Sequence, residues 1–353
     1  MTSEYVSVGH PDKVADYIVS YLLDRYMERD PKVRFALECQ VKDSHVTLGG
    51  EVTSVAEFSE GDIAGFVRDA VREVGYTAEY AARWPEGATL NADGIDVRQF
   101  IGRQSSDIAQ GVDADGWGDQ GIFWGMATAD VAFGHMPPDH FIAKELGRRL
   151  YRLSLGGCLA TGLDVKTQVS MRDGRVLQVV VAVPSMDAED IPKVRQIALD
   201  TVRALSPATA IAPQIAVNGT GAYVRHASAG DCGTTGRKLA VDLYGGNCRI
   251  GGGCPWGKDP TKADVSLNAY ARSKALGFIL ANPAYGEVHC AISSRIGSPV
   301  ISLDFFDARM NRIVGKTEAD SPRDLIAELG LDRPTFAARC RDGLFEELPA
   351  ARL

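Results

Sequence analysis

VKTQVSMRDGRVLQVVVAVPSMDAEDIPKVRQIALDTVRAL, residues 165–205, decides how the rest of the chain is read. β-Branched and polar residues flank Asp173–Gly174, a pair suited to a tight turn, so the first half reads as a hairpin. DIPKVRQIALDTVRAL then reads as a helix. The same order appears upstream. VRFALECQVKDSHVTLGGEVTS (33–54) alternates around turn chemistry at Lys42–Ser44 as a hairpin ending near Gly49–Gly50–Glu51, and the helix IAGFVRDAVREVGY (63–76) follows, with Gly75 near its end. Downstream, strands at EVHCAISSRI (287–296) and VISLDFFD (300–307) precede a helix at PRDLIAELG (322–330). Further helices are expected at FIAKELGRRLYRLS and SLNAYARSKALGFILA, and further strands at QIAVNG and KLAVDLYG.

Hairpin-plus-helix groups without a regular βαβ crossover imply an α+β fold, with helices on one face of antiparallel sheets. Three similar units are expected: 1–104, 119–226 and 227–353. The polar segment IGRQSSDIAQGVDADGWGDQG lies between the first two, and its 105–118 stretch reads as a mobile active-site loop. No visible sequence repeat proves the three units related.

The 353 residues carry 38 Lys and Arg against 46 Asp and Glu, a net charge of −8 that argues against a general nucleic-acid binder. No apolar run is long enough to span a bilayer, and the N-terminus lacks a signal peptide's apolar core. The seven cysteines form no CxxC pair, so neither a disulfide framework nor a zinc site is expected, and a reducing cytoplasm is the expected location. His135 and His140, in GHMPPDH, read as a surface loop.

Against this acidic background, four segments concentrate cations, carboxylates and glycines. GHPDK (9–13) opens an amphipathic helix running to about Arg29, with Pro11 suited to its first position, so His10, Asp12 and Lys13 gather where unpaired N–H groups favour anions. A lone carboxylate there could equally be a cap. LDVKTQV places Asp164 and Lys166 two residues apart, on one face of a strand. GDCGTTGRK (230–238) carries Asp231, Arg237 and Lys238, and GGGCPWGKDPTKAD (251–264) carries Lys258, Asp259, Lys262 and Asp264. Glycines let a backbone approach phosphate and cations neutralise it, while interleaved carboxylates suit Mg²⁺ shared with phosphate oxygens. Gly252 to Lys258 also fits GxxxxGK, but Asp259 stands where a P-loop needs Ser or Thr, and Pro260 opposes the helix that should follow.

In order, TSEYVSVGHPDKVAD, ECQV, GGE, IGRQSSDIAQGVD, GDQG, DVKTQV, GDCGTTGRK, YGG, GGG and GKDPTKAD resemble the methionine adenosyltransferase (S-adenosylmethionine synthetase) family over most of the chain. The resemblance implies joining of ATP and L-methionine, with release of phosphate and pyrophosphate. It also implies three similar α+β domains in pseudo-threefold arrangement, and a homodimer, possibly a dimer of dimers, with sheets packed and active sites shared at the interface. Carried over, His10, Lys166, Arg237, Lys238 and Lys258 would be the catalytic cations and polyphosphate contacts. Asp164, Tyr223, Asp231 and Cys254 would lie beside ATP. Glu51, Gln104, Asp119, Asp231, Lys262 and Ile296 would face methionine. Asp12 and Asp264 resemble Mg²⁺ ligands and Glu38 the K⁺ carboxylate.

The chemistry agrees with that set. A thioether has no proton to lose, so catalysis must come from positioning and from stabilising charge on the departing tripolyphosphate. The chain departs from the family's usual spelling at several places. Val8 stands for Glu, Ala222–Tyr223 for Arg-Phe, Cys254–Pro255–Trp256 for Ala-Phe-Ser and Val265 for Arg. Ser294–Arg295–Ile296–Gly297 stands for Tyr-Ala-Ile-Gly, and CRDGLFEEL replaces an aromatic Gly-His-Phe-Gly ending. Two alternatives therefore stand beside the synthase: an enzyme of altered substrate or mainly triphosphate hydrolysis, and a non-catalytic nucleotide-binding subunit.

Overall fold

Alternating stretches become strands where a turn residue can take positive φ, as Asp43 (50°) and Asp173–Gly174 (50° and 72°) do between paired strands. The structure is a computed structural model that describes residues 1–103, 116–206, 212–346 and 348–351. Its main elements are β1 (Thr2–Val6), α1 (Pro11–Met27), β2 (Arg34–Lys42), β3 (His45–Thr53), α2 (Glu60–Val74), β4 (Asp96–Gly102), β5 (Gly121–Thr128) and α3 (Pro138–Leu155). There follow β6 (Lys166–Arg172), β7 (Arg175–Ala182), α4 (Asp190–Leu205), β8 (Gln214–Val217), β9 (Gly233–Thr234), α5 (Ala263–Ala281), β10 (Glu287–Ser294), β11 (Val300–Asp307) and β12 (Arg312–Ala319).

The strands form three four-stranded sheets, ordered β1-β6-β7-β8, β4-β3-β2-β9 and β12-β11-β10-β5. The fold is α+β, as expected. Two of the sheets are not purely antiparallel, however. β3 pairs parallel with β4, and β7 with β8. In each case a helix, α2 or α4, carries the chain back across the sheet, which returns the next strand in the same direction. β4 and β5 carry no sequence signal that the alternation rule picks out, and KLAVDLYG forms a helical turn at Leu239–Asp242 in place of the expected strand.

Each sheet takes three strands from one sequence segment and its fourth from another. The first segment lends β1 to β6, the central one lends β5 to β10, and the last lends β9 to β2. The sheets therefore do not follow the boundaries 1–104, 119–226 and 227–353, because edge backbone groups are satisfied by whichever strand lies alongside.

α1 is the centre of the molecule and not a surface helix. Every residue in it except Arg25 is buried, against β2, α2, β9 and the Phe336–Asp342 helix. Its buried charges are partnered: Lys13 Nζ lies 3.1 Å from Asp16 and 2.7 Å from Asp242. Asp24 accepts the Phe336 and Ala337 N–H groups, both at 2.9 Å, at the start of the Phe336–Asp342 helix. Asp139 and His140 are likewise buried in the first turn of α3, so His140 is no surface-loop residue.

Candidate active site

The first turn of α1 organises the charged cluster. His10, not Asp12, is the cap: its Nδ1 accepts the Asp12 N–H at 3.2 Å, and Pro11 follows at the first helical position. That leaves the Asp12 carboxylate to face β9. Its Oδ1 accepts the Thr234 N–H at 2.8 Å, its Oδ2 pairs with Lys238, and Arg237 Nε lies 3.7 Å from Oδ1. Burial alone would raise the Asp12 pKa, but the bonds from Lys238 and Thr234 outweigh it and hold the carboxyl below its ordinary range. Burial, reinforced by Lys238, pushes His10 down to about 3. His10 is therefore neutral near pH 7, and with Nδ1 accepting, its proton belongs on Nε2.

β9 reaches this position by pairing with Gln40 and Val41 of β2. A side chain at Gly233 would meet the Pro11 carbonyl oxygen at 2.1 Å, so only glycine lets β9 slide between β2 and the α1 turn. Asp16, one helical turn beyond Asp12, accepts the Gly236 N–H at 2.9 Å and is pushed up to about 6 by burial.

The GGGCPWGKD segment docks on the same strand. Leu37 N–H donates to the Gly257 carbonyl and Asp259 N–H to that of Phe35, both at 2.9 Å. Asp259 is a buried scaffold residue, accepting the Phe35 N–H at 2.8 Å, so the GxxxxGK spelling builds no P-loop. Lys258 Nζ sits 2.5 Å from Asp264 Oδ2, and the Gly253 N–H donates to Asp264 Oδ1 at 2.6 Å. Lys262 caps α5 by position, two residues before Asp264. The two glycine-rich loops touch at Gly236, where a Cβ would sit 3.0 Å from that of Cys254.

Asp164 and Lys166 lie beside this cluster, although β6 begins only at Lys166. Asp164 Oδ2 accepts the Ala227 N–H at 3.1 Å. Burial raises the Asp164 pKa to about 7, opposed by that bond and by Lys166 and assisted by Asp231. Lys166 and Asp231 also act on His10, which places all four in one electrostatic field. Half-buried Tyr223 feels both Asp164 and Tyr80, and its phenol is pushed upward by burial.

Other expected site residues stand apart from these. Glu38 and Glu51 are exposed on the outer face of β2 and β3, where Glu38 pairs in register with Gly49, which in turn pairs with Phe100 of β4. Asp119 is exposed, with its carbonyl accepting the Ser294 hydroxyl, and Ile296 is 62% exposed. Arg295 is exposed, whereas Val265 is wholly buried in α5. Gln104 and most of the 105–118 stretch lie outside the described residues.

Sequence reading missed Asp16, Asp242 and Trp256. Asp242 joins Lys13 at 2.7 Å to the Trp256 indole N–H at 2.7 Å, and Lys13 lies 4.5 Å over the Trp256 ring. Asp16 was visible as the carboxylate four residues after Asp12, but Asp242 lies in the turn misread as a strand.

A family model described as the S-adenosylmethionine synthetase N-terminal domain matches residues 1–106, and one described as the C-terminal domain matches residues 226–351. Among relatives, the S-adenosylmethionine synthase of Methylobacterium nodulans is 33% identical, covering 99% of this chain and 93% of that protein. That of Granulibacter bethesdensis is 35% identical, covering 99% and 92%. The fold is similar to a solved structure described as an unusual S-adenosylmethionine synthetase from Campylobacter jejuni, with TM-score 0.86, 31% identity, and coverage of 98% of this chain and 95% of that one. Likeness at this level from end to end makes the protein a member of the S-adenosylmethionine synthetase family.

Proposed function

We propose that the protein is a methionine adenosyltransferase: the sulfur of L-methionine displaces tripolyphosphate from the ribose 5′ carbon of ATP, and water then hydrolyses the tripolyphosphate to phosphate and pyrophosphate. The observation that carries this reading is the Asp12 cluster, in which His10, Arg237 and Lys238 converge on one carboxylate beside Asp164, Lys166 and Asp231.

The chain's own groups supply the chemistry by binding and charge. Lys238 and Lys258, held by Asp12 and Asp264 in the free protein, turn to the phosphate oxygens when these arrive. Arg237, about half-exposed and 3.7 Å from Asp12, joins them. Neutral His10 donates from Nε2 to the oxygen that leaves the ribose, which needs no proton transfer near pH 7. Asp164, Tyr223, Asp231 and Cys254 border the nucleoside. Glu51, Gln104, Asp119, Lys262 and Ile296 border methionine.

Asp12 and Asp264 suit Mg²⁺ in donor chemistry, since both are carboxylates that already hold a cation, and Mg²⁺ takes one or two such ligands with phosphate oxygens. Among the described residues no group of three or more His, Cys, Asp or Glu side chains could hold a metal alone, so water and phosphate oxygens would supply the remaining ligands. When bound, Mg²⁺ would neutralise charge accumulating on the leaving phosphates. Glu38 does not by itself fit a K⁺ site: it brings one exposed carboxylate that no hydrogen bond or ion pair fixes among the described residues.

We assign the working form to a homodimer in the cytoplasm, in which the outer face bearing Glu38, Glu51 and Phe100 meets a second copy. No described helix is long and apolar enough to cross a membrane. Incubation of purified protein with ATP, L-methionine and Mg²⁺ should yield S-adenosylmethionine with phosphate and pyrophosphate in equal amounts, read by mass spectrometry. Phosphate release without S-adenosylmethionine would replace this reading with triphosphate hydrolysis.

A further inference from the structure

Asp164 rests on a hydrogen-bond system outside the Asp12 cluster. Its carboxylate is half-buried, and the N–H that it accepts comes from Ala227. Ala227 is buried and holds a φ of 52°, a left-handed backbone that residues with a Cβ seldom adopt. Such a conformation persists only where its surroundings hold it, and it gathers at functional sites. The group that holds it is the preceding side chain, His226.

His226 is 2% exposed, and its ring lies 4.4 Å from that of Trp84. Its backbone N–H donates to the Ala88 carbonyl at 2.9 Å. Nδ1 lies 2.7 Å from the Val224 carbonyl oxygen, which can only accept, so Nδ1 carries the proton. Nε2 therefore accepts, from the Tyr80 hydroxyl at 2.8 Å and the Thr89 hydroxyl at 2.9 Å. Burial pushes the imidazole down to about 4, against the bond to Val224, so the ring is neutral near pH 7 and the pattern stands.

Tyr80, 4% exposed in the short helix Ala78–Ala81, has a second partner. Its oxygen accepts the Leu163 N–H at 3.1 Å. Leu163 precedes Asp164, and His226 precedes Ala227. One phenol oxygen thus ties together the two segments that meet in the Asp164–Ala227 bond. Thr89 holds the same imidazole nitrogen, but among the described residues it makes no hydrogen bond to Leu163 or Asp164. Tyr223 and Asp231 flank His226 in sequence, so the segment held by this ring is the one expected beside the nucleoside. We propose that Tyr80 and His226 are positioning residues for the nucleoside end of the site, where their shared hydrogen bond clamps Leu163–Asp164 against Val224–Ala227 and sets the Asp164 carboxylate for ATP. The inference rests on the adenosyltransferase reading for the identity of the ligand.

The test measures ATP affinity of the purified full chain with Mg²⁺ by isothermal titration calorimetry, and KM for ATP and for methionine in S-adenosylmethionine formation. Tyr80→Phe keeps the ring and removes the one oxygen that joins both segments. It should weaken ATP by about tenfold and leave KM for methionine within about twofold of the parent. Thr89→Val, which loses a bond to the same nitrogen but leaves Leu163 held, should stay within about twofold for ATP. In an Asp164→Ala background, Tyr80→Phe should cost less than about twofold, because its route through the carboxylate is gone. His226→Phe should match Tyr80→Phe, and it decides the matter if Tyr80→Phe fails to fold. If Asp164→Ala binds no ATP, the contrast between Tyr80→Phe and Thr89→Val decides. Unchanged ATP affinity in Tyr80→Phe, equal losses in Tyr80→Phe and Thr89→Val, or an undiminished loss in the Asp164→Ala background would each overturn the proposal. ATP binding without S-adenosylmethionine formation would strike the adenosyltransferase reading and leave the calorimetric test intact, whereas a parent chain that binds no ATP would strike both.

Discussion

The α1 turn and the outer face of the β2–β3–β4 sheet carry the same kinds of residue in opposite physical states. At the turn, Asp12 is 1% exposed in its side chain and engaged by a lysine, an arginine and a backbone N–H from residues more than 200 positions away. On the sheet face, Glu38 and Glu51 stand in solvent, Glu38 two strands and Glu51 one strand from Phe100, which is 68% exposed. Strand spacing puts Phe100 roughly 10 Å from Glu38. Under the proposed function, one chain by itself gathers the charged groups around Asp12, whereas Glu38 and Glu51 stand on a surface that a second copy would cover. On that reading, gathering Lys238 beside Asp12 beforehand leaves only a side-chain rotation to complete when phosphate arrives.

Breaking the sheet face should have the largest effect. Phe100→Glu is expected to yield monomer by light scattering and to abolish S-adenosylmethionine formation; a fully active monomer would show that one chain suffices. Removing a preassembled cation comes next. Lys238→Met should lower kcat by roughly 10² to 10³, as loss of one oriented charge-stabilising donor does elsewhere, and an unchanged kcat would remove Lys238 from the chemistry. Glu51→Gln sharpens the contrast further, since it should raise KM for methionine by about tenfold while leaving KM for ATP unchanged.

The smallest effect concerns pH. Asp164 has its pKa raised from 3.8 to about 7 by burial, so the folded protein binds this proton more tightly than the unfolded chain does. Its contribution to stability is therefore fully present at low pH and is lost as pH rises from about 4 towards 7. Asp164→Asn should flatten the decline of Tm over that window, because the amide remains neutral and can still accept the Ala227 N–H. A decline as steep as that of the parent protein would show that Asp164 is ionised throughout.

Much of the scaffold was legible because its periods are local. The 165–182 and 33–54 hairpins and the helices α1 to α5 follow from alternation, helical spacing and turn residues such as Asp173–Gly174. Gly233 and Gly253 stood out as motif glycines, and their reason is now geometric: a Cβ would meet the Pro11 carbonyl oxygen at 2.1 Å or the Asp264 carboxylate at 2.7 Å. What failed was reading that needed neighbours. KLAVDLYG alternates like a strand, yet Asp242 is held in a helical turn by buried Lys13 and Trp256. His140 reads as a loop residue in the sequence because the two prolines before it mask the start of α3.

The sequence by itself determined the kind of chemistry, an acidic chain whose cations and carboxylates gather in four short motifs, two of them glycine-rich, and the local elements that carry them. Only the tertiary structure decided that β9 and the Gly257–Lys258 segment both lie along β2, bringing Lys238 to Asp12 and Cys254 to Gly236. It also decided that each sheet borrows a strand from another segment. The reason is that periodicity reports which face of an element is apolar, whereas pairing between distant edges is selected by backbone hydrogen bonds, which every residue but proline can make and which leave no mark on composition.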